Sequence, residues 1–471
     1  MTEEMEALRK NSMWKIVPLP EGKKTIGCRW VYTVKLKPDG SIDRYKARFF
    51  AKGYTQKYGV DYQETFILVA KLDTIRILIS IAVNRDWPLL QFDVKNAFLN
   101  GDLEEEVYME SPPGVRLDTG STKKVCKLKK SLYGLKSYFV YKHKEGKVTA
   151  LIVYVDDMVL TEDDTEEMKL LQEQLAAEFE MKNLGELKYF LGIEIVRSDQ
   201  EISLSQRKYV LDLLTETGML ACRPAETPIE INHKLGIFPD QVPTDIARYQ
   251  RLVGRLIYLS HTRPDIAYAV SIVSQYMHQP SEEHMNAVYR ILRYLKGSPE
   301  KYLFFSKNSI SNIEGYTDAD WAGDQTTRKS TSGYFTFVEG NLVTWKSKKQ
   351  KVVARSSAEA EFRGMAQGIC ELLWIKRVLS DLRIEHAKPM NLYCDNKAAI
   401  EIAQNPVQHD RTKHVEVDRH FIKEKLDHKV IQFSFVKSED QVADILTKTV
   451  SRKAFQNIIG KLGMVDNYAP T

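Results

Sequence analysis

The stretch that most restricts this chain is residues 151–160, "LIVYVDDMVL", in which two adjacent acids separate two apolar, β-branched runs. Runs rich in Val, Ile and Tyr read as strands, and two of them joined by a short polar pair read as a hairpin. Asp156 and Asp157 then stand side by side at its tip. Acids are ordinary in tight turns, where their side chains bond nearby backbone, so a solvated turn is one reading. The other is a divalent-cation site, because Mg²⁺ is held by one or two carboxylates together with substrate phosphates. That second reading needs another acid from a distant strand.

The acid is present in "QFDVKNAFLNGDL", where Asp93 ends the strand "PLLQFDV". Before it, "KLDTIRILISIAVNRDW" sets Leu72, Ile75, Leu78, Ile79 and Ala82 at helical spacing. Further upstream, "GCRWVYTVKLKPDGSIDRYKARFFAKGY" alternates around Pro38-Asp39-Gly40 as a hairpin does and carries Lys46, Arg48 and Lys52. A second hairpin, "YFVYKHKEGKVTALIVYV", turns at Glu145-Gly146, and a helix near 165–180 shows Met168, Leu171 and Leu175 on one face.

Residues 223–246, rich in Pro, Thr and Asp, predict a boundary or long connection. Helical patterns follow at about 247–260, 265–278 and 283–296, the second opened by Pro264 in the favoured first turn. Short strands are then expected at 313–320, 333–338, 342–346 and 351–354, a helix at 357–382, a strand at 390–394 and further helices. Such an order predicts an α+β and α/β multidomain chain that ends in a mixed sheet with helices.

At 43% hydrophobic and 28% charged residues, the chain has the composition of a folded soluble protein rather than a disordered one. The formal charge of +5 is mild, but "KSKKQKVVAR" at 346–355 gathers Lys346, Lys348, Lys349, Lys351 and Arg355 without an acid, which suits a phosphate partner. Five scattered cysteines with no C-x-x-C pair argue against a disulfide framework or zinc cluster. The charged start "MTEEMEALRK" is no signal peptide, and no apolar run is long enough to span a membrane, so an intracellular location is expected.

The segments "RYKARFFAKGYTQKYGVDYQETF", "FDVKNAF" and "YVDD" resemble the reverse transcriptase of copia-type long-terminal-repeat retrotransposons. The resemblance implies that Asp93, Asp156 and Asp157 hold two Mg²⁺ ions for DNA synthesis from deoxynucleoside triphosphates on a primer-template. It makes Phe98 an aromatic gate against the ribonucleotide 2′-hydroxyl. Lys46, Arg48 and Lys52 become contacts to triphosphate or template, with a solvated strand face as the alternative for each. The turn Leu191-Gly192 in "YFLGIEI" becomes a primer-positioning element, with a buried strand end as its alternative.

In the last third, "GYTDADWAGD", "SSAEAEF", "LYCDNKAAI" and "QVADILTK" resemble the RNase H domain of the same elements. The implied metal ligands are Asp318 on the first strand of that domain, Glu361 in the first turns of the long helix, Asp395 at a strand end and Asp444 on the last helix, again with two Mg²⁺ ions, for which Mn²⁺ is a possible substitute. RNA/DNA hybrid is the implied partner, with Lys346, Lys348, Lys349 and Lys351 tracking its phosphates and His414 near the scissile phosphate. Zinc binding by His414 and His420 is disfavoured, because no cysteine is near and their spacing fits no strong ligand template.

The resemblance divides the chain into reverse transcriptase fingers and palm over 1–225, a helical thumb or connection over 226–308, an RNase H-like domain over 309–450 and a tail over 451–471. One departure stands out. In the family "SLYGLK" leads into an amphipathic palm helix, whereas here Lys136 is followed by Ser137 and Tyr138. Roughly two dozen residues have no counterpart, of which a helix of about 15 would by itself cover about 22 Å. The expectation is a palm with an internal deletion: hybrid hydrolysis retained and DNA synthesis lost or severely reduced. Retention of both activities and a non-catalytic nucleic-acid-binding remnant are the alternatives.

Overall fold

The computed structural model describes residues 2–36, 41–52, 68–69, 72–94, 106–114, 124–130, 138–144, 147–154, 157–162, 165–178, 181–231, 233, 235–308, 312–404 and 416–465. The chain forms two compact units, Met1–Lys71 with Pro88–Leu187, and Leu72–Trp87 with Lys188–Thr471. The units do not follow chain order, since a helix from the first third of the sequence belongs to the second.

In the first unit, Cys28–Leu36 pairs antiparallel with Ile42–Ala51. A six-stranded sheet orders Met181–Glu186, Leu89–Val94, Asp157–Glu162, Lys147–Tyr154, Tyr138–Lys144 and Leu68–Val69 as neighbours. Its central hairpin has the expected register, Tyr154 opposite Asp157 and Val153 opposite Met158. The helix Thr165–Glu178 covers one face: Met168, Leu171 and Leu175 pack with Phe92, Val94, Met158 and Leu160.

In the second unit, the helix Leu72–Asn84 is buried from Thr74 to Val83, not along one stripe. Its polar residues find partners in strand backbone. Arg76 donates through Nε to the Val343 carbonyl at 2.5 Å and through Nη1 to that of His261 at 2.6 Å, and its guanidinium lies 3.9 Å from the centre of the Trp345 ring. Ser80 Oγ donates to the Val338 carbonyl at 2.8 Å. Buried polar groups are tolerable when paired in this way.

The expected helices of the connection form as Ile246–Leu259, Pro264–Ile266 running into Ala267–Ser274, and Glu282–Gly297. Ser281 caps the last of them in a capping box with His284. A buried Arg263–Asp265 ion pair at 2.7 Å, joined by the Tyr294 hydroxyl at 2.6 Å from Asp265, ties the second helical segment to the third.

The C-terminal sheet orders Asn341–Lys349, Thr331–Val338, Ile313–Ala319, Met390–Cys394 and Ile431–Phe435, the first three antiparallel and the last three parallel. The helix Ser357–Asp381 packs on Ile313–Ala319 and Thr331–Val338. Two expectations need correction. Residues 351–354 form no strand, because the preceding strand runs on to Lys349 and the chain then bends towards the helix. Asp444 sits not on an α-helix but on the short 3₁₀ helix Val442–Leu446.

Candidate active site

Parallel strands put their carboxyl ends on one edge, where ligands of open α/β sheets collect. Ile313–Ala319 and Met390–Cys394 are such a pair, with Tyr316 opposite Tyr393. Two residues further on, Asp318 and Asp395 leave at that edge. Glu361 comes from the first turns of Ser357–Asp381, whose end is capped by Ser356 Oγ accepting from the Glu359 amide at 3.2 Å. Two glycines allow the close approach. A Cβ at Gly364 would lie 3.2 Å from Thr317 Oγ1, and one at Gly333 only 2.5 Å from the Leu446 Cβ on the 3₁₀ helix that carries Asp444.

The structure therefore brings the four acids together. Carboxylate oxygens of Asp318, Asp395 and Asp444 lie within 4.8 Å of one another, as do ligand atoms of Glu361, Cys394 and Asp395. Asp318, Glu361 and Asp444 are 2%, 5% and 9% exposed. Asp318, Glu361 and Asp395 line an open cleft of about 580 Å³ with Asp320, Trp321 and Lys448. Supporting groups fix the oxygens: Thr447 Oγ1 donates to Asp318 Oδ2, and Ser438 Oγ donates to Asp395 Oδ2 at 2.7 Å.

Burial raises the proton affinity of the Asp318 carboxyl, with Lys448 and Thr447 pulling the other way. Burial, then the charges of Asp318 and Asp395, drives Glu361 well above the carboxylate range. Asp444 is raised by burial and by Asp318. Three acids that resist ionisation when metal-free, gathered with Asp395 as hard oxygen donors, fit Mg²⁺ or Mn²⁺.

In the first unit, Asp93 and Asp157 are direct partners across antiparallel strands, with Lys182 opposite Asp93 on its other side. Asp93 is exposed and Asp157 half-buried, and Gln91 Nε2 donates to Asp157 Oδ1 at 3.4 Å. Asp156, Phe98 and His414 lie outside the described residues. Lys46, Arg48 and Lys52 are half-buried on or just after Ile42–Ala51, and Arg48 pairs with Glu4 at 3.7 Å.

In the second unit, Leu191 and Gly192, both at positive φ (50° and 75°), make the turn into Ile193–Arg197, and the Leu191 carbonyl accepts from the Tyr258 hydroxyl of the same unit. Lys346, Lys348 and Lys351 are exposed beside the C-terminal sheet, but Lys349 is paired with Asp324 at 2.5 Å.

Sequence reasoning did not single out Thr447 and Lys448, although both stand in the quoted "QVADILTK". Trp321 and Phe435, 56% and 47% exposed on the cleft, were also missed. An exposed aromatic beside an acid motif was the available signal for Trp321. For Phe435 there was none, because its strand was not expected.

Acids thus gather at the edge of one mixed sheet, and a second acid pair faces across neighbouring antiparallel strands of another. The family described as "Reverse transcriptase (RNA-dependent DNA polymerase)" matches residues 11–144 and 137–231. The chain is 43% identical to the retrovirus-related Pol polyprotein from transposon RE1 of Arabidopsis thaliana, over 98% of this chain and 33% of that protein. It is 38% identical to the Pol polyprotein from transposon TNT 1-94 of Nicotiana tabacum, over 99% and 38%. Over nearly its whole length the chain is homologous to the Pol polyproteins of copia-type retrotransposons, and it spans about a third of the length of these relatives.

The match to RE1 runs over 491 aligned positions, more than the 471 residues of this chain, so some positions of that relative have no counterpart here. A foamy viral protease-reverse transcriptase, solved in complex with RNA/DNA hybrid, aligns with 99% of this chain and 55% of its own at a TM-score of 0.47 and 12% identity. Among the described residues, no helix is long and apolar enough to cross a membrane.

Proposed function

We propose that Asp318, Glu361, Asp395 and Asp444 form the centre of a ribonuclease H that hydrolyses the RNA strand of RNA/DNA hybrids. The observation that carries this reading is the meeting of four carboxylates from four separate elements, three of them lining one cleft and Asp444 beside Asp318 and Asp395. Two Mg²⁺ ions held by these residues, or Mn²⁺ in their place, would supply Lewis-acid activation of water and neutralisation of charge at the phosphodiester. Ser438 and Thr447 orient Asp395 and Asp318 through hydroxyl donors, leaving the remaining carboxylate oxygens towards the cleft. Lys346, Lys348 and Lys351 attract the hybrid's phosphates, a contribution that weakens with salt. His414 stands near the scissile phosphate in this reading, and the domain limits 226–308 and 309–450 frame it. Cleavage of a labelled RNA/DNA hybrid in Mg²⁺, compared with Asp395→Asn, tests it.

The same reading assigns Asp93, Asp156 and Asp157 to the metal site of RNA-directed DNA synthesis, with Phe98 as the sugar gate. Lys46, Arg48 and Lys52 then serve as phosphate contacts, and Leu191 and Gly192 as the primer-positioning turn. We infer that this activity is lost or severely reduced. Support comes from the short link between "SLYGLK" and "YFVYKH" and from the relative's unmatched positions. The span from Leu135 to Tyr138 reaches only about 10 Å, whereas a palm helix of about 15 residues would be about 22 Å long. Primer extension on a primer-template with deoxynucleoside triphosphates tests this, and incorporation at the rate of an intact relative would overturn it.

A further inference from the structure

The acid cluster already contains a cation. Lys448 lies one turn beyond Asp444, and its Nζ stands 2.9 Å from Asp444 Oδ1 and 3.8 Å from Asp318 Oδ1. Its side chain is 44% exposed, so the ammonium reaches the carboxylates from the open side of the cleft. The other lysine on the cleft wall, Lys397, is engaged elsewhere, with Nζ 4.7 Å from the centre of the Phe435 ring.

A divalent ion takes a carboxylate oxygen at about 2.0–2.1 Å, and the oxygen that Asp444 would offer already has the ammonium 2.9 Å away. Two cations sharing one oxygen at those distances repel, and a four-carbon stem lets the lysine swing away. We propose that Lys448 is a tethered counter-cation, a positioning residue that holds the acids together in the metal-free protein and competes with divalent metal for them. The inference rests on the metal-site reading above and adds a built-in competitor to it.

The test uses the full chain stripped of metal, in three forms: wild type, Lys448→Met and Lys448→Arg. Mg²⁺ affinity is measured by calorimetry, and melting temperature with and without saturating Mg²⁺. Lys448→Met is expected to bind Mg²⁺ roughly fivefold more tightly, the low end of coupling between ligands that exclude one another. It should melt lower than wild type without metal and level with it in saturating Mg²⁺, while Lys448→Arg follows wild type in both. A lysine with only a structural role would give unchanged or weaker metal binding on removal. Equal or weaker Mg²⁺ affinity in Lys448→Met therefore overturns this proposal alone. Absence of Mg²⁺ binding in wild type and variant alike overturns it together with the metal-site reading.

Discussion

Asp93 and Asp157 face each other across two adjacent strands and remain partly in water, whereas Asp318, Glu361 and Asp444 are buried and gathered, with Asp395, from four separate elements. The residue chemistry is alike and the scaffolding is not. A cross-strand pair needs only a hairpin register, and water absorbs most of its repulsion. A buried quartet needs a parallel strand pair, a helix brought close by Gly364 and a 3₁₀ turn seated on Gly333. Such a cluster stays folded only if cations or protons offset its charge. In the reading proposed above, the second site is the one whose acids gather for metal, and the first is a pair that water alone can accommodate.

The strongest way to break this contrast is to remove one ligand. Asp395→Asn or Asp318→Asn should lower hybrid cleavage more than about a hundredfold, beyond the 10–100-fold typical of groups that merely orient ligands. Because Asp318 already resists ionisation, Asp318→Asn should not lower the metal-free melting temperature. Cleavage within tenfold of wild type would end the claim that the quartet is catalytic. Thr447→Val comes next: losing the hydroxyl that donates to Asp318 should slow cleavage about tenfold, without unfolding the protein by circular dichroism.

A smaller effect sharpens the electrostatic side. Asp320, on the cleft wall, is raised to about 7, first by burial and then by the Asp318 charge against an opposing bond from the Thr331 amide. In the unfolded chain the same carboxyl titrates near about 3.9. Between those values the folded state keeps a proton that the unfolded state has released, so stability is complete below the lower value and falls as pH rises to the upper one. The raised quartet acids add in the same direction. Metal-free protein should lose about 2 kcal/mol of unfolding free energy from Asp320 alone between about pH 5 and 7, and more from the quartet acids, and Asp320→Asn should flatten the slope. Stability that rises with pH across this window would contradict the buried-acid account.

What the sequence made legible follows the same contrast. The palm hairpin, the helix with Met168, Leu171 and Leu175 inward, and the strand Met390–Cys394 were readable because each depends on local periodicity. The four acids were readable through motif resemblance, not through periodicity, since nothing local says that residues 318 and 444 meet. The all-round burial of Leu72–Asn84 was not readable, because Arg76 and Ser80 are satisfied by carbonyls of Val343 and Val338 far along the chain. For the same reason the sequence did not announce that this helix belongs with the second unit. Lys448 escaped notice because a lysine after an acid motif is ordinarily a solvated surface residue.

The smallest predicted effect falls on the exposed pair. Asp93→Asn leaves the backbone ladder of Leu89–Val94 intact and alters a side chain that stands in water between Asp157 and Lys182. Loss of the attraction to Lys182 and relief of the repulsion from Asp157 work in opposite directions, and exposed charge pairs contribute little in either. Urea unfolding should therefore shift by less than about 0.5 kcal/mol, as for most surface substitutions. Hybrid cleavage by the same variant should stay within about twofold of wild type, because the proposed cleavage centre draws every carboxylate from the other unit. A large loss of cleavage in Asp93→Asn would mean that the two acid sets act together, and the division of roles between them would have to be redrawn.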